Sequence, residues 1–192
     1  MSFQENVKSN SLIVALDRIK SSQLTWISGF ALLMVMAAQV SIPVEPVPFT
    51  LHTMIVLLSG AFLGARNGAI SQVLYVAAGV AGLPVFANFS FGPAVLFGTT
   101  GGYLLAFPVA AYLVGSIVEN RKSLLAISTA MVTGAAVILL SGAAYLSLFF
   151  GGDFKEAFFA GVLIFTVWDV IKISAAISIY YAFSKKYPKL PA

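Results

Sequence analysis

Two ionisable residues stand three apart in an otherwise apolar run. They are Asp169 and Lys172, within Phe165-Thr166-Val167-Trp168-Asp169-Val170-Ile171-Lys172. Residues at that spacing share a helix face, so both side chains can enter one cavity, with Phe165 and Trp168 on or beside the same face. An aspartate accepts N–H groups from a ligand, and a lysine donates to a carbonyl or carboxylate. Either one at membrane depth costs roughly 2.5–3.5 kcal/mol even on the permissive insertion scale. Two readings stand: an ion pair that satisfies itself, or a polar gripping point in an apolar pocket. The second is the expectation. Asn88, in Leu83-Pro84-Val85-Phe86-Ala87-Asn88-Phe89, joins the pair as a third substrate-binding residue. Its amide both donates and accepts, and aromatic residues surround it. Weaker substrate-binding candidates are Gln39, Tyr103 and Trp168. A glutamine placed like Gln39 more often bonds another helix. Tyr103 would add a stacking wall, and Gly101-Gly102 before it permits close backbone approach, chiefly for packing.

Other chemistries are excluded by what the chain lacks. It contains no Cys, which removes disulfides, thiolate metal sites and thiol catalysis together. Its one histidine, His52, cannot build a His-rich zinc site; with no partner motif beside it, a polar interfacial residue is expected there. The sequence has no paired acids, metal cluster or Ser–His signature, so no enzyme and no cofactor is expected. It has no G-x-x-x-x-G-K-[ST] run either, so any ATP used must be hydrolysed by partner subunits.

These residues need elements to hold them. The chain has 192 residues, 59% hydrophobic and only 9% charged, with mean hydropathy +0.95. A soluble domain carries about 25% charged residues, so this is an integral membrane protein. The net charge of +4 is scattered rather than clustered, which speaks for topology and against nucleic acid. A spanning helix needs about 20 apolar residues. Six spans are expected, at about 24–42, 51–65, 68–81, 96–118, 123–149 and 157–183. The second and third are short, and the Gly/Pro-rich segment from Gly82-Leu83-Pro84 to Phe91-Gly92-Pro93 divides the longest charge-free stretch. Short, Gly/Pro-flanked segments often mark a binding site; loops dipping to make up the length are the plainer reading.

Orientation follows Lys and Arg. With the N-terminus inside, the cytoplasmic segments hold Lys8, Arg18, Lys20, Arg66, Arg121, Lys122, Lys185, Lys186 and Lys189, whereas the external loops hold only Lys155. The expected fold is therefore an all-α membrane protein of six transmembrane helices in one domain over residues 1–192. Both termini would be cytoplasmic, and Pro/Gly-rich external loops would cap a ligand pocket. Leu12, Ile13, Leu16 and Ile19 suggest an amphipathic interfacial segment at about 10–22, with a plain polar leader as the equal alternative. The first apolar run is longer than a signal-peptide core, so a retained span is expected.

The motifs now fall into an order. Gln39-Val40-Ser41-Ile42-Pro43 with Pro46-Val47-Pro48-Phe49-Thr50-Leu51-His52 resembles the first loop of BioY proteins, the biotin-specific S-components of energy-coupling-factor (ECF) vitamin transporters. Gly79-Val80-Ala81-Gly82-Leu83-Pro84-Val85-Phe86-Ala87 resembles that family's G-x-x-G-L-P-V-F-A segment, and Gly98-Thr99-Thr100-Gly101-Gly102-Tyr103-Leu104-Leu105-Ala106-Phe107 its G-P-T-G-G-Y-L-x-G-F segment. Asp169-x-x-Lys172 matches its D-x-x-K. Departures are His52 for the usual Gln, Thr99 for Pro and Ala106 for Gly. The resemblance implies a multi-pass subunit of the bacterial cell (plasma) membrane that captures biotin outside with high affinity. It implies delivery inward with an EcfT-like transmembrane coupling protein and two cytoplasmic ATPase subunits. Asn88, Asp169 and Lys172 would hold the bicyclic head, and loops around 43–50 and 82–95 would act as a lid. Ala37 and Ser41 are weak candidates for the face offered to the coupling protein. A stand-alone secondary carrier or facilitator for a small organic nutrient is the competing reading, although such carriers usually bury more carboxylates than Asp169 alone.

Overall fold

The computed structural model describes residues 22–121 and 123–184. Helices dominate: α1 (Gln23–Gln39), α2 (His52–Val80), α3 (Pro93–Phe97), α4 (Gly101–Asn120), α5 (Leu124–Leu146), α6 (Phe154–Gly161) and α7 (Thr166–Ser184). A two-residue antiparallel ladder, β1 (Ser41–Ile42) with β2 (Phe49–Thr50), closes the first loop, pairing Ser41 with Thr50 and Ile42 with Phe49. Among the described residues four helical stretches are long and apolar enough to cross a membrane: His52–Val80, Gly101–Asn120, Leu124–Phe150 and Phe154–Ser184; α1 is a shorter apolar helix.

The two short spans of the sequence reading are the two arms of α2. Gly64 sits between them at φ 81°, ψ 178°, a conformation that only glycine adopts cheaply. The chain doubles back there. Ser59 and Gln72, thirteen residues apart, are joined by a 2.9 Å hydrogen bond; in a straight helix they would be about 20 Å apart. At 1.5 Å per residue the arms measure about 18 and 24 Å, both shorter than a ~30 Å hydrocarbon core. A Cβ on Gly115 would overlap the Gly64–Ala65 backbone, so α4 seats directly on the turn. Small residues permit this approach where lipid supplies no hydrophobic drive between helices.

Boundaries differ from expectation for local reasons. The first helix ends at Gln39 rather than 42, because Ser41–Ile42 leave to pair with Phe49–Thr50. The fourth starts at Gly101, with α3 as a separate turn before it. Gly101 and Gly102 serve packing, as expected: added Cβ atoms would meet the Leu96 carbonyl and Tyr145. The fifth tightens into a 3-10 turn at Ser147–Phe150. The last is broken at Val162 (φ −125°, ψ −58°), and Tyr103 donates its hydroxyl to the freed Gly161 carbonyl at 2.9 Å. Ala37 is buried, so it lies in the packing core and not on a face open to a partner. The interfacial segment at 10–22 lies outside the described residues apart from Ser22, as do Lys122 and Lys185, Lys186 and Lys189.

The core divides into two clusters. One surrounds Leu57, Val114, Met131 and Tyr180. The other, around Tyr75, Phe86, Tyr103, Phe107 and Ile138, lies at the loop-bearing end and walls a cavity.

Candidate functional site

A cavity of about 320 Å³ opens among β2, the two loops, α2, α4, α5 and the start of α7. That volume is at the lower end of the range for small-molecule sites. Its apolar wall comes from Val47, Phe86, Leu104, Phe107, Ile138 and Phe165, and its polar groups include Asn88, Asp169 and Lys172. The structure thus brings Asn88 onto one cavity with Asp169 and Lys172, which lie more than eighty residues further along the chain.

The break at Val162 sets the azimuth of α7. Phe165, in the 3-10 turn just before α7, and Asp169 and Lys172 in its first turns are buried, whereas Val167, Trp168, Val170 and Ile171 are exposed. Asp169 is 3% exposed and Lys172 7%. Lys172 Nζ lies 2.5 Å from Asp169 Oδ1 and donates to the Thr50 carbonyl at 3.2 Å. That accounts for two of the three ammonium donors. The carboxylate fares differently. Apart from the Lys172 contact, neither Asp169 oxygen has a hydrogen-bond partner among the described residues. A buried acceptor left in that state costs roughly 1–3 kcal/mol, more when charged. The cavity therefore offers an open site for an N–H donor.

Asn88 reaches the cavity from a 3-10 turn in the second loop, with φ 56° and ψ 36°. Asparagine tolerates this left-handed conformation better than most residues. Its Oδ1 accepts from Ser41 Oγ at 3.1 Å, which leaves the amide N–H₂ to serve a ligand. Gln39 stands behind this loop rather than in the cavity lining. Its Nε2 donates to the Phe86 carbonyl at 3.0 Å, and its Oε1 accepts from Phe89 N at 3.2 Å. Tyr103 lines the cavity, but its hydroxyl is spent on Gly161. Trp168 points outward at 49% exposure and meets Phe49 edge-on, ring centroids 6.5 Å apart.

His52 departs from its expected interfacial place. It is buried, lines the cavity, and packs against Phe107 with centroids 5.4 Å apart. Thr50 and Thr99 are further lining residues that sequence reasoning passed over. Their hydroxyls give no pattern in a single chain; only the bond that Thr99 Oγ1 donates to the Pro46 carbonyl, 2.8 Å, reveals that the link between α3 and α4 pins the first loop. Among the described residues no cluster of His, Asp and Glu could hold a metal ion.

Comparison with known proteins adds a lineage. A family model described as the BioY family matches residues 8–189. The probable biotin transporter BioY of Pyrococcus horikoshii is 38% identical over 161 residues, covering 84% of this chain and 95% of that protein. The biotin transporter BioY of Thermotoga maritima is 40% identical over 147 residues, covering 77% and 86%. A crystal structure of the S-component for biotin from an ECF-type ABC transporter superposes with a TM-score of 0.79 at 23% identity, covering 96% of this chain and 95% of that one. At that identity the likeness speaks for the fold.

Proposed function

Because this chain belongs to the BioY family, we propose that it is the biotin-binding S-component of an ECF-type uptake transporter, with the cavity beside Asp169 as its vitamin site. It is a multi-pass membrane protein and a transporter subunit, not an enzyme. Biotin carries a ureido ring with two N–H donors and one carbonyl, a fused apolar ring and a chain ending in a carboxylate. The single observation that carries the assignment is the buried Asp169 carboxylate with an oxygen unpartnered among the described residues. A ureido N–H fits that oxygen, and a charge-assisted bond of this type is about twice as strong as a neutral one. Asn88 Nδ2 or the remaining Lys172 donor serves the ureido carbonyl or the valerate carboxylate. Val47, Phe86, Leu104, Phe107 and Phe165 bury the ring and chain.

The remaining parts of the reading follow the charge distribution. Six crossings with both termini cytoplasmic place Arg66 and Arg121 inside and the two loops outside, in the cell membrane. The first loop and the Phe86–Ser90 turn then act as the lid. An EcfT-like coupling protein and two cytoplasmic ATPases supply the energy, since no nucleotide-binding motif is present in this chain.

The test is reconstitution of the purified chain in liposomes. Tight biotin binding with no concentrative uptake is expected from this subunit alone, and ATP-dependent uptake once coupling and ATPase subunits are added. Accumulation driven by a proton or sodium gradient in their absence overturns the assignment in favour of a secondary carrier.

A further inference from the structure

The ligand contacts proposed above make no use of the chain's single histidine. His52 begins α2 in the cavity wall, and both ring nitrogens of a buried imidazole need partners. Nδ1 lies 3.0 Å from Thr50 Oγ1 and Nε2 lies 2.8 Å from Tyr75 OH. The Tyr75 hydroxyl in turn donates to the Val85 carbonyl at 3.2 Å.

That last partner sets the direction of the whole run. A carbonyl can only accept, so the one phenolic proton goes to Val85. The Tyr75 oxygen must then accept from His52 Nε2–H. A neutral imidazole leaves Nδ1 as the acceptor, and the Thr50 hydroxyl fills it. The Thr50 backbone carbonyl takes a bond from Lys172. One directional run therefore links α7, the lid strand β2, both arms of α2 and the loop that carries Asn88. Ring packing stiffens it: His52 and Tyr75 lie 5.5 Å apart, and Tyr75 meets Phe86 edge-on at 5.6 Å, two residues before Asn88.

We infer that His52, as the neutral ring protonated on Nε2, is a positioning residue that locks the two loops together, so that Thr50 and the Val85–Asn88 segment close over the ligand as one unit. Thr50 belongs to the first loop and Val85 to the second, and only the His52–Tyr75 pair lies between them in the run. The inference rests on the biotin reading for its kinetic probe alone.

The test uses the full chain, purified without a histidine tag, with ¹⁵N-histidine as its only label. One histidine gives one pair of ring resonances, and the expected spectrum has Nε2 protonated and Nδ1 bare. Biotin dissociation is then timed for Thr50→Val, Tyr75→Phe and the double variant. Thr50→Val removes one hydrogen bond of the run and Tyr75→Phe two, and each should speed release by roughly fivefold or more. The double should fall within about twofold of either single, since both break the same unit. His52→Leu should match them, and His52→Gln, whose amide can accept from Thr50 and donate to Tyr75, should release biotin within about twofold of the parent rate.

A ring protonated on Nδ1 or on both nitrogens overturns the inference. So does a double variant whose effects multiply, on the order of 25-fold. If a variant fails to fold, the spectrum of the parent protein and the His52→Gln rate decide. If the parent does not bind biotin, the proposed function falls while the nitrogen spectrum still judges the His52 assignment.

Discussion

Replacing Asp169 with Asn changes little in shape and removes the charge on which the proposed biotin site depends. In the structure this carboxylate is buried, contacts Lys172 through Oδ1, and has no further partner among the described residues. A hydrogen bond to a charged group contributes about 1.5–3 kcal/mol. At 1.4 kcal/mol per tenfold, Asp169→Asn should weaken biotin binding by roughly 10- to 150-fold. Folding must be separated from binding, because removing one member of a buried ion pair costs about 3–5 kcal/mol. Asp169→Ala would leave Lys172 with the Thr50 carbonyl alone and should lower the unfolding temperature as well. The double variant Asp169→Leu/Lys172→Met provides that separation. Losing both charges together is often neutral or stabilising, so this protein should unfold near the parent temperature and still fail to bind. Calorimetric titration with biotin in detergent, paired with thermal unfolding of each variant, measures both quantities. An Asp169→Asn protein that unfolds normally and binds within about twofold of the parent refutes the reasoning, and so does tight binding by the uncharged double variant. Either result would mean that the two side chains serve only each other.

Asn88→Gly keeps a left-handed backbone and removes the amide, so affinity should fall about tenfold at a near-unchanged unfolding temperature. Asn88→Val, β-branched at positive φ, should lower both, as titration and thermal scans of the pair will reveal. Gly115→Leu forces a side chain into the Gly64–Ala65 backbone and should destabilise by about 2 kcal/mol or more, whereas the exposed Leu105→Ala should change stability by less than about 0.5 kcal/mol in the same unfolding assay. Trp168→Leu alters the outer surface of α7 and should leave the biotin dissociation constant within about twofold of the parent value.

Much of the candidate site was legible because burying charge is costly wherever it occurs. Asp169 and Lys172 stood out against an apolar run with no knowledge of the fold, and Asn88 stood out by its setting among aromatic and Gly/Pro residues. Gln39 and Trp168 were legible only as polar or aromatic residues near the right end. Their actual places, behind the Phe86–Phe89 loop and on the outer face of α7, depend on the rotation of a helix. His52 was misplaced for a related reason. A lone histidine has no local signature of burial, and its partners Thr50 and Tyr75 lie on opposite sides of a turn that no short window contains.

The amino-acid sequence by itself determined that the chain lives in a membrane, that its spans include two short ones, and that one pair of charges lies inside. These follow from hydropathy, Gly/Pro punctuation and charge placement, all of which act locally. Tertiary structure alone decided which face of each helix looks inward, because helices apolar on every side carry no periodic mark of their buried face. Exposed Leu32 and Leu33 on α1 and buried Met34 beside them differ in place but not in hydrophobic character. Close approach of small residues shaped the helix contacts, and the hairpin at Gly64 then brought His52 and Tyr75 to the end where Asn88, Asp169 and Lys172 line one cavity.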